Sequence, residues 1–117
     1  MLQLELVSPE RLLVSAQVDE VQVPGLDGYL GILPGHAALL SALKPGVLRY
    51  KTGSAEKVVA VYGGFVEVRD DRVRVLADAA QPREEINIEQ AREELRKINP
   101  DSRDEMARAQ AKLDAAS

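Results

Sequence analysis

Up to about Ala77 the chain alternates between apolar and polar positions. Leu2, Leu4 and Leu6 are separated by Gln3 and Glu5, and Val21 and Val23 flank Gln22. Val66 and Val68 alternate with Glu67 and Arg69, and Val73 and Val75 with Arg72 and Arg74. Successive side chains of a strand point to opposite faces, so each run predicts a strand with one buried face. Val58 to Tyr62 is apolar at every position and predicts a central strand covered on both faces. Gly53-Ser54 and Gly63-Gly64 read as turns between successive strands, and Asp70-Asp71 as the tip of a short hairpin. Short strands punctuated this often predict a β-sandwich or barrel.

After the segment Ala77 to Pro82 the period changes. Ile88, Ala91, Leu95 and Ile98 recur at helical spacing, as do Met106, Ala109, Leu113 and Ala116. Asn99-Pro100 separates the two runs, because proline cannot continue a helix. Asn87 with Gln90, and Ser102 with Glu105, are capping-box pairs that start them. The prediction is an α+β chain: strands over 1–81, then a short antiparallel two-helix hairpin over 82–117. The second helix offers Met106 and Leu113 as its large apolar contacts. At about 25 cal/mol per Å2, its docking is worth roughly a few kcal/mol before ordering entropy is subtracted.

Composition narrows the function. The 117 residues suit one domain with an appendage, and three tyrosines and one phenylalanine leave the core to aliphatic side chains. The lack of cysteine excludes disulfides, a thiol nucleophile and thiolate metal ligands. A net charge of -4, with basic residues scattered and no aromatic platform, argues against a nucleic-acid partner. No apolar run is long enough to span a membrane, and the N-terminus lacks a signal-peptide pattern. No constellation of nucleophile, base or metal ligands stands out, so the sequence does not read as an enzyme.

Between Val18 and Gly46 lie five glycines, three prolines and the single histidine, which reads as a compact surface loop. It lacks the GK[ST] ending of a P-loop and the helix of a dinucleotide fingerprint. His36, without a second His or a Cys, cannot build a standard metal site and reads as a turn or interface hydrogen-bonder, with a proton sensor as the alternative. Glu84, Glu85, Glu89, Glu93 and Glu94 read as a solvated face, with Glu89 pairing with Arg92 and Glu93 with Lys97.

Gly31-Ile32-Leu33-Pro34-Gly35-His36-Ala37, then Leu40, Leu43 and Pro45-Gly46, resemble the signature of the epsilon subunit of F-type ATP synthases. Gly63-Gly64-Phe65-Val66-Glu67-Val68 and Val75-Leu76-Ala77-Asp78 resemble the same family, in the same order. The resemblance implies a flattened β-sandwich of about ten strands at 1–81 and a regulatory helical hairpin at 82–117. It implies a non-catalytic rotor subunit of a proton- or sodium-driven synthase, lying peripherally at the cytoplasmic face of the bacterial inner membrane. Its partners would be the gamma subunit and the c-ring, with the alpha and beta subunits within reach of the helices.

Carried over by position, Gly28, Tyr29, Leu30 and Gly31 would face the c-ring, and His36, Ala37 and Ser41 the gamma subunit. Tyr29 stands where family members often carry an acid, so it implies an amphipathic contact instead of a charge pair. Some members bind ATP through a helix motif that matches Ile88 and Arg92 here. Glu89 replaces the motif's Asp and Glu93 its Ala, which implies weak regulatory binding at most. The competing reading is a free-standing sandwich that binds a small ligand beneath a helical lid.

Overall fold

The computed structural model describes all residues, 1–117, and the alternating half forms eight strands. These are β1 (Leu2–Val7), β2 (Leu12–Val18), β3 (Glu20–Gly25), β4 (Gly28–Ile32), β5 (Leu39–Thr52), β6 (Ala55–Arg69), β7 (Arg72–Ala77) and β8 (Ala80–Pro82). A 3-10 turn at Arg83–Glu85 leads to α1 (Ile88–Lys97) and α2 (Arg103–Ala116). The strand order is β2-β1-β7-β6-β5-β3-β4, with β8 on β6. Only β1 and β7 run parallel; every other pairing is antiparallel.

One sheet makes two layers because β5 and β6, of 14 and 15 residues, fold over. Val59 and Val61 from the first half of β6 share a core with Val66 and Val68 from the second. The inward set thus switches from odd to even positions at Gly63-Gly64. Up to there β6 pairs with β8, and beyond it with β7. Gly63-Gly64 is therefore not a turn between strands, as expected, but a bend inside one. Counting both long strands as two halves brings eight to the expected ten.

Gly64 is required at this bend. Its φ is 129°, and a Cβ there would lie 2.1 Å from the Leu76 carbonyl oxygen. The Asp70-Asp71 hairpin is formed as expected, with both residues left-handed at φ 51° and 59°. Asp tolerates that region better than most side chains.

Seventeen buried apolar side chains fill the space between the layers, among them Leu2, Leu4, Leu6, Ile32 and Leu48. A small ligand inside the sandwich would have to displace them, which disfavours the lid reading. A second, smaller cluster lies on the outer face of the other layer, where Val47, Val58 and Ala60 meet Ala115 of α2. Val58 to Val61 are thus covered on both faces, as their unbroken apolar run predicts.

The last helix, α2, is the one against the sheet, and α1 packs on α2. Its contact agrees with the expected stripe at Ala109 and differs elsewhere. Ala109, Ala111 and Ala115 are the buried residues, while Met106 and Leu113 remain partly exposed. Small side chains let the helix backbone approach the valines closely, so contact is made by proximity rather than by large side chains.

Asn87 caps α1, its Oδ1 accepting from Gln90 N at 3.0 Å. Ser102 makes no side-chain cap, because its ψ of 81° falls short of the extended conformation such caps adopt. Glu93 pairs with Arg96 at 3.0 Å rather than with Lys97, while the Glu89–Arg92 pair forms at 3.4 Å.

Candidate docking surface

With the helices on one layer, the outer face of the other is left open. Strand register lines up a row of apolar side chains across it. Ala42 lies opposite Phe65, Phe65 opposite Leu76, Leu76 opposite Val7, and Val7 opposite Leu12. Phe65, Leu76 and Leu12 are each more than half exposed, at 54%, 52% and 56%. Leu40, on the same strand as Ala42, is 71% exposed. At about 4.8 Å between strands, the row crosses roughly 19 Å of sheet. Scattered apolar residues are ordinary on a surface, but a contiguous row marks a site of association.

The next row toward the β6–β7 hairpin is charged: Glu67, Arg74 and Glu5 lie side by side. Arg74 and Glu5 form an ion pair at 3.3 Å. Sequence reasoning missed the apolar row. Its signal was available, since Phe65 and Leu76 occupy the polar phase of their strands, where Glu67 and Arg74 are the regular choices.

The glycine-rich segment is more ordered than a loop. Gly28, Tyr29, Leu30 and Gly31 form most of β4, which pairs with β3 and ends the sheet. Leu30 packs against the core, and Tyr29 points to the opposite face. There the Tyr29 hydroxyl accepts a hydrogen bond from Val47 N at 3.2 Å. Tyr29 shares a surface depression of about 530 Å3 with Arg49 and the C-terminal end of α2.

The remaining loop, 33–38, crosses from the end of β4 in one layer to the start of β5 in the other. His36 is partly buried, with Nδ1 2.7 Å from the Ala37 carbonyl oxygen, so Nδ1 carries the proton and donates. Asp71 Oδ1 accepts from Gly35 N at 2.7 Å and ties this loop to the β6–β7 turn. Ala37 is exposed, whereas Ser41 is half-buried and lies opposite the core residue Val66, on the inward face of β5 and away from Leu40 and the apolar row.

The sequence profile of the ATP synthase delta/epsilon chain β-sandwich domain matches residues 1–83. The ATP synthase epsilon chain of Solibacter usitatus is 54% identical over 94 residues, which covers 80% of this chain and 70% of that one. The chain belongs to the ATP synthase delta/epsilon family. The epsilon chain of Nitratidesulfovibrio vulgaris is 44% identical over 120 aligned positions, covering 98% of this chain and 90% of its own length.

Among solved structures, a chain of the Tetrahymena thermophila mitochondrial ATP synthase central stalk and c-ring superposes with a TM-score of 0.75 at 15% identity. It covers 99% of this chain and 96% of its own length. One from the Euglena gracilis mitochondrial ATP synthase, in an assembly of OSCP, F1 and c-ring, gives 0.69 at 23%, covering 98% and 76%. These two share the fold of this chain.

In this epsilon-family chain the residues matching the ATP motif are not gathered into a pocket. Ile88 is half-buried, whereas Glu89 and Arg92 are exposed and paired with each other. None of the five principal surface depressions is lined by any of the three. The groove beneath the hairpin, about 330 Å3, is lined instead by Tyr62, Gln81, Glu94, Ile98, Arg108 and Lys112, among others. Lys112 bridges α2 to Glu94 of α1 at 3.0 Å. Tyr62 has its pKa pushed up to about 12, first by burial and then by the negative charge of Glu94. Of the clustered carboxylates, Glu85 pairs with Arg11, Glu89 with Arg92, Glu93 with Arg96 and Glu94 with Lys112, so the cluster is largely neutralised.

Proposed function

We propose that this chain is a central-stalk subunit of an F-type ATP synthase, joining the foot of the gamma subunit to the c-ring and catalysing nothing itself. The single observation that carries the reading, beyond family membership, is the exposed apolar row from Ala42 to Leu12 on the open face of the sandwich. Torque transfer needs a stiff body with separate binding faces. The folded-over β5–β6 pair supplies the stiffness, because both layers share the same two strands.

The gamma subunit covers the open face, with His36 and Ala37 of the adjoining loop at its margin; Ser41, turned inward opposite Val66, supports β5 from the core side. The free edge strand β4, with Gly28 to Gly31, meets polar loops of the c-ring. Tyr29 supports that edge from behind through Val47, instead of supplying a charge. No helix of the chain is long and apolar enough to cross a membrane. Its place at the cytoplasmic face of a bacterial inner membrane therefore comes through these partners. The hairpin, held by small residues and a few polar ties, is the element that reaches toward the alpha and beta subunits.

The test is ATP-driven ion pumping in membranes carrying the synthase stripped of this subunit. Adding the full chain restores pumping in proportion to the amount bound. Binding to the stripped complex without any gain in pumping would contradict the coupling role.

A further inference from the structure

Arg69 and Arg72 face each other directly across β6 and β7, in the last pair before the Asp70-Asp71 turn. Both are exposed. Like charges directly opposite on a sheet face oppose each other, so this pair works against the stability of the chain by itself. Neither arginine takes part in the eight ion pairs, although Arg74 on the same face pairs with Glu5.

The row continues into Gln3 and Gln17, which satisfy each other by a hydrogen bond of 2.7 Å. The acids nearby have other positions. Asp71 accepts from Gly35 N, Glu67 lies one row away opposite Arg74, and Asp70 sits in the turn itself. These side chains line an open depression of about 610 Å3.

From the apolar row, Arg69 is four residues along β6 from Phe65, about 13 Å. A standard interface covers roughly 800 Å2 on each partner, wide enough to take in both rows at once. The open face is therefore graded: apolar at Phe65 and Leu76, acid-base-acid at Glu67, Arg74 and Glu5, and doubly basic at Arg69 and Arg72.

We infer that the surface docking on this face carries a carboxylate that Arg69 and Arg72 receive together, some 13 Å from the edge of its apolar contact. Guanidinium groups hold carboxylates by paired N–H donors, and one acid between two arginines removes their mutual repulsion. The inference rests on the central-stalk reading, since it states the chemistry of the gamma surface that meets this face. It makes the arginine pair a register mark, fixing where along the sheet the apolar contact seats.

The experiment measures binding of the full chain to the epsilon-free catalytic head with its gamma subunit, from the same organism. Wild type is compared with the double variant Arg69→Gln/Arg72→Gln and with Leu76→Glu. The arginine variant is expected to bind at least tenfold more weakly, while melting at the same temperature as wild type or higher. Leu76→Glu is expected to lose binding. Loss with Leu76→Glu but undiminished binding by the arginine variant overturns this inference and leaves the stalk reading intact. Failure of the folded wild type to bind at all overturns both.

Discussion

Arg83 holds the end of the last helix. Its Nε donates to the Ala115 carbonyl oxygen at 2.7 Å, and its Nη2 reaches the Ser117 carbonyl oxygen at 3.0 Å. The last carbonyls of a helix have no partner within it, and α2 has no basic residue in its final turn. A guanidinium supplied from the turn after β8 satisfies them and complements the helix dipole. Replacing Arg83 with Ala should loosen the hairpin by about 1–2 kcal/mol. Hydrogen exchange checks this: amides of α2 should exchange several-fold faster while those of β1 and β7 stay protected.

Close approach through alanine makes the helix–sheet contact sensitive to added volume. Ala115 is fully buried against Val47, Val58 and Ala60. Ala115→Leu should therefore cost about 1–3 kcal/mol of hairpin docking by overpacking. Leu113→Ala, at a partly exposed position, should cost less. Helix content by circular dichroism during mild denaturation would rank the two.

Gly64→Ala places a methyl group against the Leu76 carbonyl oxygen at a positive φ of 129°. The bend that lets β6 serve both layers cannot then form without displacing β7. A loss of at least about 3 kcal/mol in urea unfolding is expected. Gly53→Asn, in a hairpin turn with open space around it, should lose well under half as much.

Stability at alkaline pH should depend on Tyr62. Its folded pKa of about 12 lies above the unfolded value near 10. Between those values the unfolded chain has released a proton that the native chain still holds, so stability falls as pH rises. Tyr50, also raised first by burial, adds in the same direction. Below pH 10 neither contributes a slope. Melting temperatures across this window should fall less steeply for Tyr62→Phe than for wild type.

Most of the fold was legible because alternation and helical spacing respond directly to burial. Leu2, Leu4 and Leu6 were placed in the core by period alone. The ambiguity lay where local signals serve two structures. A glycine pair marks a turn or a bend equally well, and only the parity change from Val61 to Val66 tells that Gly63-Gly64 bends one strand. The buried face of α2 is not legible from side-chain size, since Ala111 and Ala115 are buried by their smallness. The docking row was hidden for a different reason. Leu12, Val7, Leu76, Phe65 and Ala42 are scattered along the sequence and become neighbours only through register.

That row carries the account, and occupancy of the assembled synthase tests it most directly. The double variant Phe65→Glu/Leu76→Lys alters two exposed side chains, puts opposite charges across the pair and should melt close to wild type. ATP synthase purified from cells expressing it should lack the subunit. Purification at full wild-type stoichiometry would contradict the proposal that gamma binds this face.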